Sequence, residues 1–260
     1  MLPAPVRGLR AAFVFLTRIP VGGFPYRAED WRWAAAHFPL VGAALGALTG
    51  LTFWSLLPLG ALPAALIAIA VSMLLTGAFH EDGLADTSDA LGGAYDREKL
   101  FLILKDSRVG SFGSAALTVS IVLRAALLSG FAQGGAVAAL TAPVLAGTLA
   151  RTGPVLMSAV MPYVSPEPVA KSRDIVRGTW PQAACALGGA LAVTGMGAAL
   201  GFWGAGRLAA ATLLLGLLLG LLGWRFHVRA GGVTGDFLGA TEQLGEIAVY
   251  AALAWSLSDG

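Results

Sequence analysis

The fifteen residues Ala65–Phe79, ALIAIAVSMLLTGAF, carry no charge, and the fourteen that follow, His80–Gly93, HEDGLADTSDALGG, carry four carboxylates: Glu81, Asp82, Asp86 and Asp89. An apolar segment of this length reads as part of a membrane-spanning helix. The acids at its end then lie at a membrane edge. The rest of the chain agrees. No Asp, Glu, Lys or Arg occurs from Trp33 to Phe79, and Arg207 is the only one from Gly178 to Trp224. Only 12% of the 260 residues are charged, against about 25% in ordinary soluble domains, and the mean hydropathy is +0.75. The fold expected is all-α: one polytopic membrane helical bundle covering residues 1–260.

Pro and Gly divide the apolar runs. "LLPLGALP" at 56–63 splits the first into spans near 34–57 and 62–79, and "FAQGG" at 131–135 turns the stretch 112–161 back on itself. Further spans are expected near 182–203, 208–224 and 243–257. That makes about seven transmembrane helices at 1.5 Å rise per residue. The N-terminal core "AAFVFL" is broken by Thr17 and Arg18 and lacks a following cleavage site, so it reads as a short interfacial or half-inserted helix. The single Cys185 excludes an internal disulfide and reads as a small core residue. No basic patch interleaved with aromatics points to nucleic acid. With these spans, 14 of the 17 Lys and Arg residues fall on one side of the membrane. The positive-inside rule makes that side cytoplasmic, and the acidic site is expected at the cytoplasmic edge.

Three clusters carry chemistry. If the segment after Phe79 continues the helix, Asp82, Asp86 and Asp89 stand at i, i+4 and i+7, within a sector of about 60°. Carboxylates on one stripe repel unless a cation sits between them. Hard oxygen ligands at this spacing suit Mg²⁺ shared with substrate phosphates. Gly83 among them permits a backbone break or a close ligand approach. The competing reading is a solvated acidic loop, but the first basic residue after Glu81 is Arg97. In "KDSRVGSFG", 105–113, Asp106 could complete a metal site and Lys105 and Arg108 could hold phosphate oxygens. Gly110 and Gly113 offer N–H groups at a helix start, a natural anion site. Anchoring of the next helix explains the same charges. In "GDFLGATEQLGE", 235–246, Asp236 lies at the membrane edge and Glu246 just inside. Arg124 and Arg151 fall within spans and need an acid, a phosphate or an interface. His80 stands off the Asp stripe and is a base, a phosphate contact or a hydrogen-bonded structural residue. The chemistry these residues support is metal-assisted phosphoryl transfer at a membrane. A cation-coupled transporter is the rival, although its acids would be spread through mid-membrane positions.

"TGAFHEDGLADTSDALGG" closely resembles the acidic motif of the cobalamin synthases, the adenosylcobinamide-GDP ribazoletransferases. "FLTRIPV", "LKDSRVGSFG" and "GGVTGDFLGATEQLGE" resemble the same family in the same order, over essentially the whole chain. Glu81 stands where relatives often carry an apolar residue, and Ala90 where Gly is common. The resemblance implies an inner-membrane enzyme of vitamin B12 synthesis. It would use Mg²⁺ to join adenosylcobinamide-GDP to α-ribazole, or its 5′-phosphate, with release of GMP. It further implies that Asp82, Asp86, Asp89 and Asp106 hold Mg²⁺ on the diphosphate. Lys105, Arg108 and Arg151 would offset phosphoryl charge, and Asp236 and Glu246 would bind metal or position the nucleophile. The partners expected are these substrates and the lipid bilayer, with homo-oligomerisation left open. The "DGLAD…D" pattern also looks like that of the CDP-alcohol phosphotransferases, but lacks the Ala-Arg pair that follows DG there.

Overall fold

The computed structural model describes residues 3–22, 26–164 and 179–255. Among these the chain is helical and contains no β-strand. The helices are α1 (Ala4–Leu16), α2 (Ala28–Ala34), α3 (Phe38–Leu56), α4 (Ala61–Thr76), α5 (Phe79–Gly93), α6 (Arg97–Leu104), α7 (Ser111–Gly130), α8 (Gly135–Val160), α9 (Trp180–Ala199), α10 (Ala205–Ala230) and α11 (Gly235–Trp255). Four stretches are long and apolar enough to cross a membrane: 28–59, 111–160, 180–199 and 205–230. A fifth forms if the bent pair α4 and α5 counts as one span. The protein is therefore a multi-pass helical membrane protein. Leu213, Leu217 and Leu221 on α10 and Val119 and Val122 on α7 are each more than half exposed, as lipid-facing side chains are.

The stretch 111–160 is not one rod. Going down α11, Gln243 meets Ser120, Glu246 meets Arg124, and Tyr250 meets Phe131, so α7 runs parallel to α11. Thr241 meets Met157 and Glu246 meets Arg151, so α8 runs back the other way. The turn between α7 and α8 ends at Gly135, whose φ of +72° suits a residue without Cβ. The expected turn at 131–135 lies there.

Helix α11 is the central post, packed by α5, α7, α8 and α10. Its residues Phe237–Gln243 are all buried. Helices α3 and α8 form the tightest pair. A Cβ on Gly42 would collide with the carbonyl of Gly147, one on Gly46 with that of Pro143, and one on Gly50 would lie 2.5 Å from that of Leu140. In lipid, helices gain little by hiding apolar surface from one another. Close backbone approach along small residues supplies the contact instead. The spacing of these glycines, i, i+4 and i+8, is readable in "GAALGALTG".

Two local expectations change. Helix α4 does not continue into the acidic segment: Gly77 and Ala78 are both left-handed, with φ of +68° and +56°, and α5 leaves at 93°. The Asp stripe thus stands on a separate helix. Gly83 does not break that helix, and it lines the cavity described below. A Cβ there would sit 2.9 Å from the carbonyl oxygen of Asp236, so it is the crossing point of α5 and α11. Cys185 is exposed on α9 rather than in the core. Helix α1 lies against α2, with Arg7 paired to Asp30 at 2.7 Å.

Candidate active site

The crossing of α5 and α11 opens a cavity of about 180 Å³. Helix α5 contributes Phe79, His80 and Asp82, α11 contributes Asp236, Leu238 and Glu242, and α8 contributes Arg151 and Pro154. Helices α1 and α3 add Phe15, Leu16 and Phe38. The lining thus joins ionisable groups to an aromatic and aliphatic wall. Four residues singled out in the sequence, His80, Asp82, Arg151 and Asp236, come together here from three helices.

Asp86 lies next to this group, in the negative field of Asp82, Asp236 and Asp89. No Lys or Arg stands within ion-pair distance of Asp82, Asp86 or Asp236 among the described residues. Asp236 is steadied by Thr234. Unpaired acids crowded in this way repel one another and favour a bound cation.

Asp89 and Asp106 are engaged elsewhere. Both Asp89 oxygens accept backbone N–H bonds at the start of α7, from Gly110 at 2.7 Å and Gly113 at 2.9 Å. The anion site read from these glycines therefore holds a carboxylate of the chain itself, which satisfies two otherwise unpaired N–H groups and complements the helix dipole. Asp106 grips Arg108 in a fork, 2.9 Å from Nε and 2.6 Å from Nη2. That pairing holds the Asp106 carboxyl down at about 2. Lys105, Asp106, Arg108 and Gly110 do not line the cavity.

Beneath the cavity lies a buried charge network. Arg124 bridges Glu81 at 3.0 Å and Glu246 at 3.3 Å. Arg151 bridges Glu242 at 2.8 Å and Glu246 at 3.3 Å. His80 Nδ1 stands 3.8 Å from Glu242, and Gln243 donates to Glu242 at 3.0 Å. Glu246 is thus an arginine partner and does not line the cavity. The sequence reading missed Glu81 and Glu242 as members of this network. Glu242 had a readable mark, since it stands four residues before Glu246 and so on the same helix face.

Donor chemistry tests the fit to Mg²⁺. Among the described residues no three His, Cys, Asp or Glu side chains are placed to hold an ion. Mg²⁺ in phosphoryl-transfer sites is commonly held by one or two carboxylates, with phosphate and water completing the shell. Asp82 and Asp236, with Asp86 alongside, fit that smaller demand.

A multi-pass membrane protein with an acidic, arginine-backed cavity at a helix crossing belongs to the class of membrane enzymes that handle phosphorylated substrates. The cobalamin-5-phosphate synthase family (CobS) matches residues 8–254, and the chain belongs to it. Similar proteins include the adenosylcobinamide-GDP ribazoletransferase of Leptothrix cholodnii, 37% identical over 94% of this chain and 92% of the relative. Those of Rhizobium johnstonii, 39% identical over 95% of both chains, and Ralstonia nicotianae, 38% identical over 97% and 96%, bear the same name. No solved structure matches the chain.

Proposed function

We propose that this protein is an adenosylcobinamide-GDP ribazoletransferase working at the cytoplasmic edge of the inner membrane, with Mg²⁺ in the α5/α11 cavity. The observation that carries the reading is the cavity itself, where Asp82 and Asp236 stand without cations and face Arg151 and His80. A ribose hydroxyl of α-ribazole, or of its 5′-phosphate, attacks the cobinamide-side phosphorus of adenosylcobinamide-GDP. A new O–P bond forms, the P–O–P bridge breaks, and GMP leaves with the bridging oxygen. The hydroxyl proton passes to solvent or to a nearby base. The products are adenosylcobalamin, or its phosphate, and GMP.

Asp82 and Asp236 would hold Mg²⁺, with Asp86 next to them. The ion would neutralise charge on the diphosphate. Arg151 presents a guanidinium to phosphoryl oxygens. Glu242 and Glu246 fix its orientation, so it need not reorganise as charge develops. The apolar walls keep bulk water away from the phosphorus. Arg108, on the surface, reaches substrate only by leaving Asp106.

The topology that suits this reading has seven spans: α3, α4, α7, α8, α9, α10 and α11. Residues 80–111 then face the cytoplasm with most Lys and Arg. On a Cys185-free background, Tyr95→Cys is labelled from the cytoplasmic side; periplasmic labelling would reverse the map. For the chemistry, protein purified in detergent releases GMP from adenosylcobinamide-GDP only when α-ribazole or its phosphate is present. EDTA stops the release and Mg²⁺ restores it. GMP release that survives exhaustive chelation would remove the metal, and no release with both substrates bound would remove the transfer.

A further inference from the structure

Phe15, Phe38 and Phe79 come from three different helices and meet in the apolar wall of the cavity. Phe15 stacks on Phe38, with ring centroids 5.7 Å apart and planes 6° from parallel. Phe79 stands edge-on to Phe15 at 5.4 Å. Leu16, Pro154 and Leu238 are the other apolar side chains of the lining. We infer that this aromatic wall is the subsite for the base of the nucleoside substrate, and that it selects a fused bicyclic base with an apolar edge, as in α-ribazole. The inference rests on the transfer reading of the same cavity and adds which substrate fragment enters it, and how.

Size is the first argument. The cavity measures about 180 Å³. Pockets that enclose a whole drug-sized ligand run from about 300 to 1,000 Å³, and an apolar cavity of about 150 Å³ accepts benzene. This space takes one flat ring system and excludes a corrin.

Edge chemistry decides between the two bases present in the reaction. Guanine carries N–H donors and a carbonyl that need partners when buried. None of these six side chains offers a donor or acceptor, and in the transfer reading the polar lining of the same cavity, His80, Asp82, Arg151, Asp236 and Glu242, serves the ion and the phosphates. Burying guanine here would leave those groups unsatisfied, a cost that strongly rejects a ligand. The dimethylbenzimidazole of α-ribazole presents two methyl groups at the corresponding edge. It needs only an aromatic wall and aliphatic contacts.

Connectivity agrees. Phe79 and His80 are adjacent in the chain with rings 5.3 Å apart, and Asp82 lies just beyond them. A base seated on the phenylalanines leaves its ribose beside His80, the ionisable neighbour of Phe79. The short apolar α1 is thereby given a role: it supplies Phe15 and Leu16 as part of the substrate wall.

The test uses Phe79→Leu, which keeps apolar bulk and removes the π-face, and Phe79→Ala. In purified protein, the KM for α-ribazole rises about tenfold in Phe79→Ala and less in Phe79→Leu. The KM for adenosylcobinamide-GDP stays within twofold. The preference for α-ribazole over a riboside with a single-ring imidazole base falls in both variants. Equilibrium binding of α-ribazole, read by its benzimidazole fluorescence without turnover, weakens in parallel. Unchanged α-ribazole binding in both variants overturns the subsite. A rise confined to the KM for adenosylcobinamide-GDP also overturns it and gives the wall to guanine. If the parent protein binds α-ribazole in a Phe79-dependent way but releases no GMP, the subsite stands and the transfer reading fails.

Discussion

Two groups of acids lie side by side in this molecule and are treated in opposite ways. In the network of Glu81, Glu242 and Glu246, three carboxylates share the guanidiniums of Arg124 and Arg151 at 2.8–3.3 Å. Around the cavity, Asp82, Asp86 and Asp236 have no Lys or Arg partner within that reach among the described residues. Both groups are attached to the same two helices, α5 and α11. In the first every carboxylate has an arginine partner, which lowers the cost of burying it, although Glu81 Oε2 and the Nε atoms of Arg124 and Arg151 find no hydrogen-bond partner. The second has no such partner, and a cation or a proton would relieve its repulsion. Glu242 belongs to the paired group yet lines the cavity, and Arg151 does the same. In the proposed reaction the paired group would supply one cation to the substrate and the unpaired group would hold another.

Four substitutions press on that contrast, in decreasing order of expected effect. Arg151→Ala strips Glu242 and Glu246 of a partner and should destabilise the fold by about 3–5 kcal/mol. Denaturation in detergent measures it, and adding Glu242→Gln should recover part of the loss. An unchanged midpoint for Arg151→Ala would mean the network is no more than decorative. Asp82→Asn should act on turnover and spare the fold. GMP release falls about 100-fold, equivalent to about 2.7 kcal/mol, while the melting temperature without Mg²⁺ holds or rises because one repelling charge has gone. If Asp82→Asn unfolded the protein as Arg151→Ala does, the two groups would not differ in kind. Gly46→Leu inserts a side chain where α3 meets the carbonyl of Pro143. About 1–3 kcal/mol of stability should be lost, read in the same unfolding experiment. Asp89→Asn removes the charge that caps α7 and should cost about 0.5–1 kcal/mol. Hydrogen exchange should quicken at Gly113 and Ser114, with Mg²⁺ dependence unchanged. A shifted Mg²⁺ requirement would move Asp89 into the unpaired group.

The sequence carries most of the fold, because uncharged runs broken at Pro and Gly leave few ways to arrange helices in lipid. Most long helices lie close to their expected places, but α10 runs on to Ala230 and α11 already begins at Gly235. The cavity was legible in part. Asp82 and Asp236 show themselves as acids at the ends of apolar segments, and His80 and Arg151 as polar groups in apolar surroundings. Glu81 did not, because its partner Arg124 lies 43 residues away on another helix, and spacing along one helix says nothing of a contact between two. Gly110 and Gly113 were legible as an anion site, but the anion is Asp89, and no local pattern says which carboxylate swings into a helix end. The right-angle turn after Thr76 was hidden for a further reason. Gly77 suggests a break, but Ala78 in a left-handed conformation runs against its own preference, and the bend goes with the packing of α5 on α11 and α7. Phe15 opens the FLTRIPV stretch singled out by its resemblance to the family, but nothing local connects α1 to a cavity built by α5 and α11.

The glycine seam between α3 and α8 has a mechanical consequence. Two helices in backbone contact along three successive turns behave as a single beam, because there is no layer of side chains to compress or slide. Phe38 projects from one member of that beam, one turn before Gly42, and Arg151 from the other, one turn past Gly147. The spacing between the main-chain positions that carry this ring and this guanidinium is therefore set by the helix pair itself. Any breathing needed to admit or release a bulky molecule is left to the partners that lean on the beam, α1, α5 and α11, which carry the remaining walls.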